Sequence, residues 1–177
     1  MTIFNYAALA VAGLAAGLDL KTHKIPNWLT FSAAAAGLCL YLFFQGTTGL
    51  LSSGKGLFLG LLVFMIPFIL GGMGGGDVKL MGALGAVMGV RGIIEVALFG
   101  ALWGGLLSLL AILIKRKPAV LQRFGTGLKM LVITQGRAGK EFVLPAEDVV
   151  EQERVYVPYG LAILLGVVTS LLVDILP

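Results

Sequence analysis

Residues 71–81 read Gly-Gly-Met-Gly-Gly-Gly-Asp-Val-Lys-Leu-Met, a glycine-rich stretch that leads into one acidic residue, Asp77. Residues 56–70 before it and residues 80–90 after it are apolar or glycine, apart from Pro67. Glycine lets the backbone adopt positive φ and approach another chain closely, and a substrate peptide could be that chain. The stretch therefore predicts a turn between two apolar helices, with a carboxyl group at the start of the second helix.

The rest of the chain is equally apolar. Of its 177 residues 58% are hydrophobic and 12% are charged, and the mean hydropathy is +0.99. A soluble domain has about 45–50% apolar and about 25% charged residues, so an ordinary water-soluble enzyme and a disordered tail are excluded. The single cysteine, Cys39, excludes an internal disulfide and a cysteine-rich zinc site. In such a chain the net charge of +4 reports membrane orientation and not nucleic-acid binding.

Six apolar segments are candidates for membrane spans, since a spanning helix needs about 20 mostly apolar residues. The fourth segment is short and rich in glycine. The six segments are residues 2–18, 28–45, 56–72, 77–90, 92–114 and 156–175. We expect an all-α integral membrane bundle of six transmembrane helices, formed by a single domain over residues 1–177.

Basic residues mark one side of this bundle, and the positive-inside rule assigns that side to the cytoplasm. Six crossings place only Lys55 and Arg91 on the outer side. The other eleven basic residues fall on the inner side: Lys21, Lys24, Lys79, Lys115, Arg116, Lys117, Arg123, Lys129, Arg137, Lys140 and Arg154. Residues 115–155 then form a cytoplasmic loop, part of which has the composition of an amphipathic interfacial helix. Whether this segment recognises a substrate is left open.

Two aspartates stand out among the few acidic residues near the spans. Asp19 ends the first span and Asp77 opens the fourth, so two crossings return both to the inner side at similar depth. Neighbouring carboxyl groups do not both ionise readily, so one serves as the base and the other as the acid. Such a pair can activate water and protonate a departing amine. The alternative is cation or proton binding in a non-enzymatic transporter or assembly factor. Glu95 and Asp174 lie near outer boundaries and are interpreted as interfacial.

Three blocks of sequence resemble the prepilin peptidase family, in the family's order. Residues 74–77 match the GxGD motif of intramembrane aspartyl proteases, and residues 77–81 resemble the second-aspartate helix of prepilin peptidases. Asp19 followed by residues 24–27, Lys-Ile-Pro-Asn, resembles their first-aspartate region. Residues 157–160 resemble the Pro-x-Gly motif that opens their last span. Presenilin-like proteases share GxGD, but their Pro-Ala-Leu signature is not found.

The resemblance implies an aspartic-type endopeptidase that uses no metal and no cofactor. Enzymes of this family remove the basic leader from type IV prepilins, pseudopilins or preflagellins at the cytoplasmic face of the inner membrane. Carried over by position, Asp19 and Asp77 are the catalytic pair. The residues expected to shape the site or contact substrate are Gly74, Gly76, Lys79, Pro158 and Gly160. The expected partners are prepilin substrates and the lipid bilayer.

The chain departs from the larger bacterial members of the family. Those enzymes carry an N-terminal cytoplasmic insertion with two CxxC pairs and an N-methyltransferase activity. Here three residues separate Asp19 from His23 and the chain has one cysteine. We therefore expect leader cleavage without methylation, as in the compact enzymes of tight-adherence (Flp) pili, although archaeal preflagellin peptidases are also compact. The pilin substrate, the cleaved bond, bacterial or archaeal origin, the acid–base assignment and the oligomeric state stay open.

Overall fold

A computed structural model of the chain describes residues 2–70, 73–114 and 159–173, and within these ranges every regular element is helical. The four helices are α1 (Ile3–Thr22), α2 (Asn27–Ile69), α3 (Gly75–Ile114) and α4 (Tyr159–Val173). The expected all-α fold is therefore confirmed for the described residues. The predicted cytoplasmic segment 115–155 and Pro158 lie outside them.

The structure does not support six separate transmembrane helices. Three helices, α1, α2 and the Gly75–Ala111 part of α3, are long and apolar enough to cross a membrane, while α4 is a shorter apolar helix. The predicted span 28–45 and residues 56–69 of the next one fall in α2, and the predicted spans 77–90 and 92–114 both fall in α3. The hydropathy pattern separates the two apolar segments of each pair, but within α2 and α3 no loop lies between them.

Each long helix contains one glycine with a non-helical backbone, Gly46 in α2 and Gly89 in α3. At Gly46 φ is 63° and ψ is −150°, and at Gly89 φ is 71° and ψ is −172°. A Cβ atom on Gly37 would lie 2.7 Å from the carbonyl carbon of Ala86, and one on Gly56 would lie 2.8 Å from that of Gly89. In a straight helix Gly37 and Gly56 would be about 28 Å apart, so α2 reverses direction between them. Gly46 makes this reversal without a loop.

Small residues let the helices pack with their backbones in contact. A Cβ atom on Gly56 would collide with the carbonyl oxygen of Gly85, and one on Gly60 with that of Met81. The buried Ser53 hydroxyl donates a 2.6 Å hydrogen bond to the carbonyl oxygen of Ala86. Glycine and serine at such contacts are typical of helices that associate inside a membrane. These contacts hold the part of α2 after Gly46, its second arm, against the part of α3 before Gly89, its first arm.

The chain divides into two compact units, Met1–Gly105 with Pro158–Pro177, and Leu106–Val157. The first unit contains both aspartates, and its α1 packs along α4. Its core is centred on the first arm of α3, where Leu80, Met81 and Leu84 are fully buried. Large apolar side chains cover its outer surface, as at Phe43, which is 85% exposed. An exposed apolar surface of this kind is typical of a membrane-facing protein. The single domain over residues 1–177 stays a prediction.

Candidate active site

Asp19 lies in the last turn of α1 and is held by the beginning of α4. Its side chain is buried, with 5% exposed. Gly160 is the second residue of α4, where backbone N–H groups have no acceptor within the helix. The Gly160 N–H donates a 2.9 Å hydrogen bond to Oδ2 of Asp19. The positive end of the α4 dipole therefore faces a carboxyl group, an arrangement that favours negative charge there.

Asp77 lies in the first turn of α3 and is fixed by the preceding glycines. It is 7% exposed, and its Oδ2 accepts a 3.1 Å hydrogen bond from the N–H of Gly74. The N–H of Asp77 in turn donates to the carbonyl oxygen of Gly74, also at 3.1 Å. The two bonds close a small ring that orients the carboxyl group. The glycine-rich turn thus aims Asp77 as well as connecting two helices.

The structure brings the two carboxyl groups together. Asp19 is close enough for its charge to act on Asp77, although 58 positions separate the residues in sequence. Both are buried, and each accepts a hydrogen bond from a backbone N–H. The two carboxyl groups are therefore within electrostatic range of each other. The catalytic roles stay predictions.

The absence of side chains at Gly76 and Gly160 makes close approach possible. A Cβ atom on Gly76 would lie 3.1 Å from Cβ of Ile25, in the connection between α1 and α2. One on Gly160 would lie 2.9 Å from both Cβ and Oδ2 of Asp19. The sequence suggested that a substrate peptide approaches the glycines, but at Gly76 the neighbour is the protein's own chain. Gly74 is exposed, and a Cβ atom there would lie 3.1 Å from Oδ2 of Asp77.

Lys79 is exposed and points away from the aspartate pair. Residues two positions apart do not share a helix face, so the side chains of Lys79 and Asp77 diverge. Nζ of Lys79 donates a 2.9 Å hydrogen bond to Oδ1 of Asn27, the first residue of α2. The same Nζ lies 5.9 Å from the ring centroid of Phe31. Lys79 thus joins α3 to α2, a partnership with Asn27 that no pattern in the sequence indicates.

A cleft of about 460 Å³ opens between the end of α1 and the start of α2. It is lined by Leu18, Thr22, Lys24, Ile25, Pro26, Asn27 and Trp28. Leu18 directly precedes Asp19, and Ile25 lies against Gly76, the neighbour of Asp77. The lining therefore includes the residue before Asp19 and a residue that contacts the neighbour of Asp77. Residues 24–27 resemble a family motif in the sequence, but that motif did not predict a cleft.

No cluster of metal ligands accompanies the pair in the described part of the chain. Among residues 2–70, 73–114 and 159–173, no three His, Cys, Asp or Glu side chains lie together as a metal site would require. Of the predicted site residues, Pro158 lies outside the described residues, and the site roles of the other six stay predictions.

Comparison with known proteins decides the family. The type IV leader peptidase family matches residues 6–109, more than half of the chain. The chain belongs to the type IV leader peptidase family. It is 35% identical over 117 residues to the prepilin leader peptidase/N-methyltransferase of Burkholderia pseudomallei strain 1026b, and equally so to that of strain K96243. This match covers 59% of the chain and 38% of each relative. No solved structure matches the chain.

Membership of the type IV leader peptidase family confirms the resemblance drawn from the three sequence blocks. The matched range contains both Asp19 and Asp77. The ion-coupled alternative is not favoured by these matches. Because the chain spans well under half the length of the curated relatives it matches, their full activities do not transfer to it directly.

Proposed function

We propose that the chain is an aspartic endopeptidase that removes the basic leader from prepilins at the cytoplasmic face of the inner membrane. The observation that carries the proposal is the buried pair of Asp19 and Asp77, brought together from two helices. Family membership supports the substrate class. Buried carboxyl groups in mutual reach are the arrangement that acid–base hydrolysis of a peptide bond requires.

In the proposed reaction a water molecule lies between the two carboxyl groups. The ionised carboxylate takes a proton from the water, and the water oxygen bonds to the carbonyl carbon of the scissile peptide. The protonated carboxyl donates its proton to the amide nitrogen as the carbon–nitrogen bond breaks. Because the two groups are coupled, they titrate as a unit. The N–H groups of Gly160 and Gly74 hold the carboxyl groups of Asp19 and Asp77 in orientation throughout.

The cleft between the end of α1 and the start of α2 is the proposed place for the peptide on one side of the scissile bond. Its walls combine apolar Leu18 and Ile25 with polar Thr22 and Asn27. An extended peptide needs such a mixture, because its backbone must form hydrogen bonds while an apolar side chain is shielded from water. Leu18 precedes Asp19, and Ile25 contacts Gly76, the neighbour of Asp77. In the proposed complex the peptide extends from this cleft towards the two carboxyl groups.

We also propose that the polypeptide crosses the membrane six times, with α2 and α3 each crossing twice. The reversal at Gly46 and the non-helical backbone at Gly89 support this arrangement. The inner side then carries eleven basic residues and both aspartates. In a Cys39→Ser background, an impermeant maleimide applied to spheroplasts should label Thr47→Cys and leave Lys24→Cys unlabelled until the cells are lysed. The reverse labelling would overturn the orientation.

The proposed activity stops at cleavage, without N-methylation. The relatives named above are described as both leader peptidase and N-methyltransferase. The 177 residues contain one cysteine, Cys39, and so hold no pair of CxxC motifs of the kind that accompanies methylation in the larger enzymes. Flp-type pilins are the proposed substrates, since the motifs of these residues resemble those of the Flp-pilus enzymes.

Co-expression with a prepilin tests the function. The wild-type chain should shorten the prepilin by its leader, and Asp77→Asn should leave it intact. Mass spectrometry of the product reports the cleaved bond and any added methyl group. If neither chain cleaves prepilins from several pilus systems while both are folded in the membrane, the peptidase proposal is wrong for these substrates.

A further inference from the structure

Helix α4 has polar contacts at both ends. At its start the N–H of Gly160 donates to Asp19, and near its other end the hydroxyl of Ser170 donates a 3.0 Å hydrogen bond to Oε2 of Glu95. Ser170 is ten positions after Gly160, so the two contacts are about 15 Å apart along the helix. One contact reaches a proposed catalytic residue. The other reaches an acidic residue of α3 that the proposed reaction does not use.

The contact between Ser170 and Glu95 is largely shielded from solvent and includes a charged group. Ser170 is fully buried, and the Glu95 side chain is 23% exposed. The second carboxylate oxygen of Glu95 accepts a 3.2 Å hydrogen bond from Nε of Arg91, one turn earlier on α3. Hydrogen bonds to an ionised acceptor are stronger than those between neutral groups. Arg91 and Ser170 therefore fix the Glu95 carboxylate from two sides.

Between the two polar contacts, α3 and α4 meet through glycine. A Cβ atom on Gly166 would lie 2.8 Å from the backbone nitrogen of Gly100 and 3.0 Å from the carbonyl oxygen of Val96. This contact sets how close the helices come. The hydrogen bond at Ser170 adds a directional constraint on how far α4 can slide along α3.

We propose that Glu95, acting through Ser170, is a positioning residue for Asp19. The Glu95–Ser170 bond fixes the register of α4, and that register places the N–H of Gly160 against Oδ2 of Asp19. A slip of one residue moves α4 by about 1.5 Å, enough to lengthen the 2.9 Å bond beyond hydrogen-bonding distance. The inference rests on the proposed function, in which Asp19 is catalytic.

Steady-state cleavage in proteoliposomes tests this role, with the full chain and a prepilin that the wild type cleaves. Ser170→Ala and Glu95→Ala should lower kcat about tenfold, the rate equivalent of one hydrogen bond to a charged group, with KM close to that of the wild type. Glu95→Gln retains an acceptor oxygen and should recover most of kcat. An equal kcat for Ser170→Ala and wild type would overturn the proposal, and so would a loss that appears only in KM.

Thr169→Ala is the matched control. Thr169 neighbours Ser170 on α4, but its hydroxyl bonds to the carbonyl oxygens of Leu165 and Gly166 within the same helix. Removing it deletes a hydroxyl group without touching the contact to α3. We expect kcat and KM of the wild type in this variant. A loss as large as that of Ser170→Ala would mean that any hydroxyl deletion in α4 is damaging, which would overturn the specific role of Glu95.

A distance measurement separates this inference from the proposed function. Spin labels at the exposed positions Leu14 on α1 and Leu172 on α4, in a Cys39→Ser background, report the register of α4 without a substrate. Ser170→Ala should shift or broaden the distance distribution, and Thr169→Ala should not. Unchanged distances in Ser170→Ala would overturn the register role. If Ser170→Ala shifts the distances but the wild type cleaves no prepilin, the register role is supported and the proposed peptidase function is refuted.

Discussion

Gly160 and Asp19 are 141 positions apart in the chain and joined by a 2.9 Å hydrogen bond from a backbone N–H to a carboxyl oxygen. The donor is in the first turn of α4 and the acceptor in the last turn of α1, so the bond connects the beginning of one helix to the end of another. Asp77 receives the same kind of support from the N–H of Gly74. Both proposed catalytic groups are therefore oriented by backbone atoms, which substitutions change only when they move the backbone.

Gly160→Ala should impair cleavage strongly. The new Cβ would lie 2.9 Å from both Cβ and Oδ2 of Asp19, so either α4 or the aspartate must move and the hydrogen bond between them weakens. We expect kcat to fall about tenfold or more, given the free energy of a hydrogen bond to a carboxylate. Gly17→Ala, on the same helix as Asp19 and with no neighbour within 4 Å of its new Cβ, is the control. Equal kinetics in the two variants would show that the contact is unimportant.

Asp19→Asn and Asp77→Asn should each abolish leader cleavage while the protein still folds and inserts. The amide has the shape of the carboxyl group but cannot exchange a proton in the same way, so acid–base catalysis by the pair is lost. General acid–base catalysis contributes about 10²–10⁴-fold in rate, and we expect a loss in this range or beyond it. Thermal unfolding in detergent checks the fold. Wild-type turnover by either variant would remove that residue from the mechanism.

Gly76→Val should reduce cleavage because its side chain would meet Ile25. A Cβ atom on Gly76 already lies 3.1 Å from Cβ of Ile25, and the γ-methyl groups of valine reach further. The turn that carries Asp77 must then move away from α1. In the double variant Gly76→Val with Ile25→Ala, space is restored and we expect activity to recover in part. Gly75→Ala, whose new Cβ would lie 3.5 Å from the Phe68 ring, should be tolerated.

Recovery in this double variant would identify a clash inside the protein. If Gly76→Val stayed inactive although Ile25 had been shortened, the neighbour that matters would be the substrate peptide. Wild-type activity of Gly76→Val alone would show that the turn tolerates a side chain. Since residues in contact show non-additive effects, the comparison of single and double variants measures the coupling directly.

Lys79→Met should leave kcat nearly unchanged and raise KM. Nζ of Lys79 is exposed, points away from Asp77 and bonds to Asn27, which lines the cleft. Losing this bond frees Asn27 to turn within the cleft. An exposed contact of this kind contributes about 1 kcal/mol or less, so KM should rise a fewfold. Lys55→Met is the control, because Lys55 is also exposed and does not line the cleft. A fall in kcat alone would instead connect Lys79 to the chemistry.

Asp19 and Asp77 could be proposed as a pair from the sequence because each stands at the end of an apolar segment, and the order of these segments is known without knowing how they pack. The span count and the distribution of basic residues place Asp19 and Asp77 on one side of the bundle, and the structure brings them together. The contacts that complete the site depend on how helices pack, and no local signal reports that. The Glu95 bond to Ser170 joins residues 75 positions apart, and the Lys79 bond to Asn27 joins residues 52 positions apart.

The helix count shows a different limit. Hydropathy locates apolar runs and predicted a break between residues 45 and 56, yet it carries no information on backbone angles. At Gly46 the chain turns on one residue with positive φ, so no loop separates the two arms. Gly89 in α3 also has a positive φ. Apolar segments could thus be counted from the sequence, but helices could not.

Gly46→Ala should destabilise the protein through the backbone alone. A Cβ atom there would meet nothing within 4 Å, but φ of 63° with ψ of −150° is a conformation that side-chain-bearing residues rarely adopt. A strained residue of this kind costs about 1–3 kcal/mol. Gly54→Ala, also in α2 and also without a close neighbour, lacks the positive φ and is the matched control. Unfolding by heat in detergent should occur at a lower temperature in Gly46→Ala than in Gly54→Ala. Equal midpoints would mean that α2 does not reverse at Gly46, and the proposal that it crosses the membrane twice would fail with it.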